Sequence, residues 1–141
     1  MKEKMSLKED VQAVANLIEI PFPSIGIDID GVVDQAPIFF NTLTGVWPGK
    51  VFVITFRDNR EKAEEVLKKY NIHYNELILV NSFDEKAKVI REQGISVFFD
   101  DQPEMLKNVS PTCDVMLVRN EGNFDFKDKK WMLSNQTGKI V

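Results

Sequence analysis

Ile25-Gly26-Ile27-Asp28-Ile29-Asp30-Gly31 runs an apolar strand directly into two carboxylates and a glycine. Residues Ile25 to Ile29 read as a buried strand, and the acids fall where a strand should stop. Further along, Val97-Phe98-Phe99-Asp100-Asp101 repeats the arrangement, with an acidic pair closing a β-branched and aromatic run. If both strands lie parallel in one sheet, four carboxylates converge on one edge. Like charges about 4 Å apart repel by about 4 kcal/mol at an effective dielectric near 20, so a cation must sit among them. A hard divalent ion with oxygen ligands, Mg²⁺, is the simplest choice.

Outward from these two stretches, strand and helix patterns take turns. Leu7, Val11, Val14, Ala15 and Ile18 recur at helical spacing, which predicts a helix over about 7–19 with Ser6 as its cap, ended by Pro21 and Pro23. Val51 to Ile54, Leu77 to Val80, Ile95 to Phe99 and Val115 to Val118 read as further strands. Ala63, Val66, Leu67 and Tyr70 mark an amphipathic helix with Asp58 as a cap. Phe83, Ala87 and Ile90 mark another, closed by Gly94, and Pro103 opens a short helix to Val109. The segment 34–48 is read as polar and aromatic, without an element assigned. Continuous apolar strands between amphipathic helices predict a three-layer α/β sandwich, a Rossmann-like parallel sheet with helices on both faces.

The 141 residues fit a single domain, with a core over about 24–118 and a C-terminal tail over about 121–141 that packs back on it. Apolar residues at 43% and charged residues at 28% exclude disordered, collagen-like and coiled-coil classes. A net charge of −4 gives no overall attraction for nucleic acid. One cysteine, Cys113, excludes an intrachain disulfide framework and points to the cytoplasm. The charged start of the chain and the lack of a long apolar run predict neither export nor a membrane partner. His73, the sole histidine, falls in a loop and reads as a surface or packing residue.

In open α/β sheets, ligands sit beyond the carboxyl ends of the strands. The residues there are Asp28 and Asp30, then Thr55 with Arg57, then Asp100 and Asp101, with Lys86 entering from the start of a helix. An EF-hand loop would need further acids and a terminal Glu that are absent here. A receiver domain carries its acidic pair on the first strand, whereas here the pair comes on the fourth.

The set resembles the four motifs of the haloacid dehalogenase (HAD) superfamily of phosphohydrolases. Asp28-Ile29-Asp30-Gly31-Val32-Val33 is similar to its first motif, Val51 through Thr55 to its second, Lys86 to its third and Phe98-Phe99-Asp100-Asp101 to its fourth, with Lys88 as the other candidate lysine. The resemblance spans about residues 24–110. It implies a Mg²⁺-dependent phosphomonoester hydrolase in which Asp28 forms an aspartyl-phosphate and Asp30 serves as general acid and base. It further implies that Thr55 and Lys86 hold the phosphoryl group and that the metal rests on Asp28, the Asp30 carbonyl and Asp101, with Asp100 supporting. Arg57 itself reads either as a grip on a substrate phosphate or as a surface partner of Asp58 or Glu61. The alternative reading is a catalytically silent binding or scaffold protein on the same fold.

The stretches 31–54 and 56–85 leave little room for the cap domain common in that superfamily, so no large cap and an open site are expected. The expected partner is a phosphorylated small molecule, with a nucleotide among the candidates; nucleic acid and a homo-oligomer both stay open. Ile54-Thr55-Phe56-Arg57 is similar to the nucleotidase and polynucleotide phosphatase branches. Phe39, Phe40 and Trp47 are read as packing residues first and as a stacking surface for a base second.

Overall fold

Strand β1 (Ser24–Ile27) lies at the centre of a five-stranded sheet, hydrogen-bonded on one side to β2 (Val51–Phe56) and on the other to β4 (Ile95–Asp100). The computed structural model describes residues 2–17 and 21–132. With β3 (Glu76–Val80) beyond β2 and β5 (Asp114–Leu117) beyond β4, the order is β3-β2-β1-β4-β5 and every pairing is parallel. This is the Rossmann-like α/β architecture expected from the alternation of strands and helices.

Along β2 successive side chains enter opposite cores, as the two-residue strand period dictates. Val53 joins Ile27, Ile29, Phe40, Ala63, Leu67 and Leu77 on one face. Phe52 and Ile54 join Val80, Ile90, Ile95 and Phe98 on the other. The first face is covered by α2 (Pro37–Val46) and α3 (Arg60–Lys69), the second by α4 (Phe83–Glu92). Between β1 and β2 lie only the tight turn Ile29–Val33 and α2, and between β2 and β3 only α3, so no cap domain is inserted.

The boundaries differ from the sequence reading in instructive places. The segment 34–48 contains α2, with Pro37 at its first turn. Asn59 rather than Asp58 caps α3, its side chain accepting from the Lys62 amide. The Pro103–Lys107 turn is a short 3₁₀ segment. The first helix, α1 (Lys2–Leu17), contains Ser6 within it and lies against α2. Ala15 is buried there, but Leu7 and Val14 of the expected apolar stripe face outward because one neighbouring helix covers only a narrow face. Ile18 and residues 133–141 lie outside the described residues. No described helix is long and apolar enough to cross a membrane.

Gly26 is required by a close approach. A Cβ there would sit 2.5 Å from the Phe98 ring and 3.3 Å from Ile95, so the bare glycine leaves the space that the Phe98 ring occupies. Gly26→Ala is expected to destabilise the fold by about 1–3 kcal/mol through overpacking. Urea unfolding measures this, and an unchanged midpoint would contradict the packing described.

Candidate functional site: an acidic edge with a buried lysine

Parallel register decides which acids meet. Ile27 of β1 pairs with Phe99 of β4, and the Asp28 amide donates to the Phe99 carbonyl at 3.1 Å. The next residues on the two strands, Asp28 and Asp100, therefore stand side by side, with Asp101 one step on. The strand order reverses at this β1–β4 seam, the topological switch point at which open α/β sheets form their ligand crevice. Carboxylate oxygens of Asp28, Asp100 and Asp101 lie within 4.8 Å of one another, and all three residues are buried.

Lys86 meets this charge from below. Ser82 caps α4 by accepting from the Glu85 amide at 3.0 Å, and Glu85 reaches back to the Asn81 amide at 2.9 Å. Lys86 shares the buried face of that helix with Ile90, four residues away. Its ammonium donates to Asp28 Oδ2 and to Asp100 Oδ2, both at 2.9 Å, and is wholly excluded from solvent. The Phe56 and Phe98 rings lie 5.0 and 5.7 Å from it. Burial lowers the Lys86 pKa, but the Asp28 and Asp100 carboxylates outweigh it and hold the ammonium above the ordinary lysine range. Burial raises the Asp100 carboxyl to about 6, against the pull of Lys86 and with Asp28 adding to the rise. Lys88 lies on the surface, 3.7 Å from Glu92.

The remaining oxygens of the pair are tied to backbone. Asp28 Oδ1 accepts from the Ile29 amide at 2.7 Å, and Asp100 Oδ1 from the Gln102 amide at 2.9 Å. After Asp28 the chain turns tightly through Ile29–Val33, where Gly31 has φ +77° and presses on the Asp101 side chain. A Cβ at Gly31 would collide with that carboxylate, so glycine serves both the backbone angle and the approach.

Two expected site residues pair with each other outside the carboxylate cluster. The Asp30 carboxylate stays outside the cluster, largely exposed, and Arg57 clasps it through two hydrogen bonds of 2.8 and 3.3 Å. Arg57 thus pairs with Asp30 rather than with Asp58 or Glu61. Thr55, near the end of β2, is buried, and its hydroxyl has no hydrogen-bond partner. His73 is exposed in a loop.

Sequence reasoning missed Asn120 and Asn123. Asn120 Nδ2 donates to the Gly31 carbonyl at 3.0 Å, and Asn123 Nδ2 donates to the carbonyls of Asp101 and Val118. The two also brace each other, the Asn120 amide donating to Asn123 Oδ1 at 2.8 Å. The tail is thereby clamped to both acidic loops, and from this clamp rises a small hairpin, β6 (Phe124–Asp125) and β7 (Lys130–Trp131). The local signal was the Asn-Glu-Gly-Asn turn chemistry at 120–123.

No family model matches the chain, and no curated protein matches it. A solved structure of a universal stress protein in complex with cAMP is similar over 70% of this chain and 98% of that one, with 6% identity and a TM-score of 0.49. At that level the likeness carries no argument about ligand or activity. No model of the haloacid dehalogenase superfamily matches, so the family expected from the motifs is corrected: the chain is not assigned to it. The phosphohydrolase activity, the aspartyl-phosphate chemistry, the nucleotidase and polynucleotide phosphatase branches and silent membership of that superfamily are corrected with it.

Lys86→Met keeps the apolar stem but leaves Asp28 and Asp100 buried without their cation. A loss of about 3–5 kcal/mol at pH 7 is expected in urea unfolding. The loss should shrink at pH 5, where Asp100 takes up a proton; a change below about 1 kcal/mol at pH 7 would contradict the counter-ion role.

Proposed function

We propose that this chain binds a phosphorylated small molecule through a divalent cation, Mg²⁺, held at the β1–β4 seam. The observation that carries the reading is the convergence of three buried carboxylates, with oxygens within 4.8 Å of one another, beside the Lys86 ammonium. At an effective dielectric near 20, each unscreened pair at that spacing costs about 3 kcal/mol. The donor set suits a hard cation, since carboxylate oxygens from Asp28 and Asp101 supply one or two ligands and leave positions for water and phosphate. Asp100, tied to Lys86 and the Gln102 amide, supports the two from behind.

The phosphate side of the reading rests on Thr55, whose buried hydroxyl has no partner and would donate to an anionic oxygen. Lys86 has three donors and uses two on carboxylates, so one remains for the same group. At the rim the Arg57–Asp30 pair is solvent-exposed enough to exchange its carboxylate for a phosphate. A reducing compartment, the cytoplasm, belongs to the same reading, because Cys113 is a buried free thiol.

Calorimetric titration with MgCl₂ is expected to show one site, and Mg²⁺ should raise the melting temperature by mass action. Asp101→Asn removes a like charge at constant volume. The metal-free variant should be no less stable than the parent, yet its Mg²⁺ affinity should drop at least tenfold. Ribose 5-phosphate should bind the parent only with Mg²⁺ present. Absence of Mg²⁺ binding, or affinity unchanged by Asp101→Asn, would overturn the proposal.

A further inference from the structure

The hairpin clamped to the acidic loops carries a surface that nothing in the fold explains by packing alone. Arg119 precedes Asn120, which holds the Gly31 carbonyl, and Phe124 follows Asn123, which holds the Asp101 carbonyl. Consecutive Cα atoms lie about 3.8 Å apart, so both residues stand one step from contacts with the site's own loops. The Arg119 guanidinium lies 4.8 Å from the Phe124 ring centre and 4.9 Å from that of Phe126. Phe124 in turn meets Phe126 and Trp131 edge-on, each at 5.0 Å. Phe126 is 49% exposed and Trp131 41% exposed, while Arg119 is itself exposed and has no carboxylate partner among the described residues.

A cation left without an anion, set among half-exposed aromatic faces beside a cation-and-phosphate site, fits a ligand that is both flat and negatively charged. Of the aromatic residues first considered for such a role, Phe40 is buried and Trp47 donates to the Pro23 carbonyl at the amino end of β1, the opposite edge of the sheet, while Phe39 is exposed and meets Phe40 and Phe99 edge-on. We infer that the surface formed by Arg119, Phe126 and Trp131 receives the base of a nucleotide whose phosphate is held at the Asp28–Asp101 seam.

This inference rests on the phosphate-binding reading above and assigns the part of the ligand that the seam does not touch. Phe126 and Trp131 are about half exposed, and stacking of a base on an aromatic ring is worth about 1–3 kcal/mol. The guanidinium, already lying over Phe124 and Phe126, adds a planar cation that stacks on a base or bonds its edge. The asparagine clamp fixes the hairpin relative to the seam, so a ligand spanning both would meet two prepositioned ends.

The test compares adenosine 5′-monophosphate with ribose 5-phosphate, titrated into the full chain with Mg²⁺ present. The nucleotide should bind at least tenfold tighter than the sugar phosphate, and it should quench Trp131 fluorescence where the sugar phosphate does not. Phe126→Leu, which keeps apolar bulk but removes the ring, and Arg119→Gln should each weaken the nucleotide at least fivefold and leave ribose 5-phosphate unchanged. Equal affinities for the two ligands in the parent would overturn the base subsite while leaving the phosphate reading intact. So would a variant that weakens both alike. Failure of both ligands to bind with Mg²⁺ present would overturn both readings.

Discussion

One ammonium determines the geometry of the carboxyl edge. Lys86 bridges Asp28 and Asp100 with two 2.9 Å contacts in complete exclusion from water, joining α4 to the two central strands. A buried ion pair is a weak source of net stability, because desolvation offsets most of its attraction, but breaking it strands a charge. Its consequence here is positional. With Lys86 fixed, two carboxylates can occupy adjacent strand ends at a separation that would otherwise repel them, and Asp101 brings a third buried carboxylate to the same edge.

Topology supplies the rest of the seam. The order β3-β2-β1-β4-β5 sends the chain away from β1 in both directions, so no crossover connection covers the carboxyl ends of β1 and β4. Gly31 lets the loop after β1 approach Asp101 closely, and Asn120 and Asn123 tie that loop and the one after β4 to the tail. Backbone carbonyls that would otherwise face solvent are thus satisfied by side chains from a distant segment, which holds both acidic loops in one arrangement. The aromatic hairpin sits on the same tie.

The sheet and its acidic edge were legible in the sequence because they depend on short-range patterns: apolar runs of strand length, helical spacing between them, and acids at the strand ends. Lys86 was distinguishable from Lys88 for the same reason, since the buried stripe through Ala87 and Ile90 places position 86 inward and 88 outward. Helix α2 was obscured because Ala36 offers no side-chain cap, and its Phe39-Phe40 pair interrupts a clean polar and apolar alternation. Asp30 was expected at the chemistry because the strand was read through Ile29. The strand ends at Ile27, and the kink at Gly31 turns the Asp30 carboxylate out to Arg57. The Asn120 and Asn123 contacts join residues far apart in sequence and leave no periodic trace. The family resemblance went further than the residues did, since acids, a threonine and a lysine at strand ends describe a binding edge and not a particular reaction.

The proposed binding edge depends on a single divalent ion between Asp28 and Asp101. Anomalous scattering from a crystal soaked in MnCl₂, used as a heavier substitute for Mg²⁺, locates it directly. One peak about 2.0–2.3 Å from oxygens of both residues, with Lys86 still bridging Asp28 and Asp100, is the expected result. No peak at the seam, with manganese found only on exposed surface acids, would contradict it.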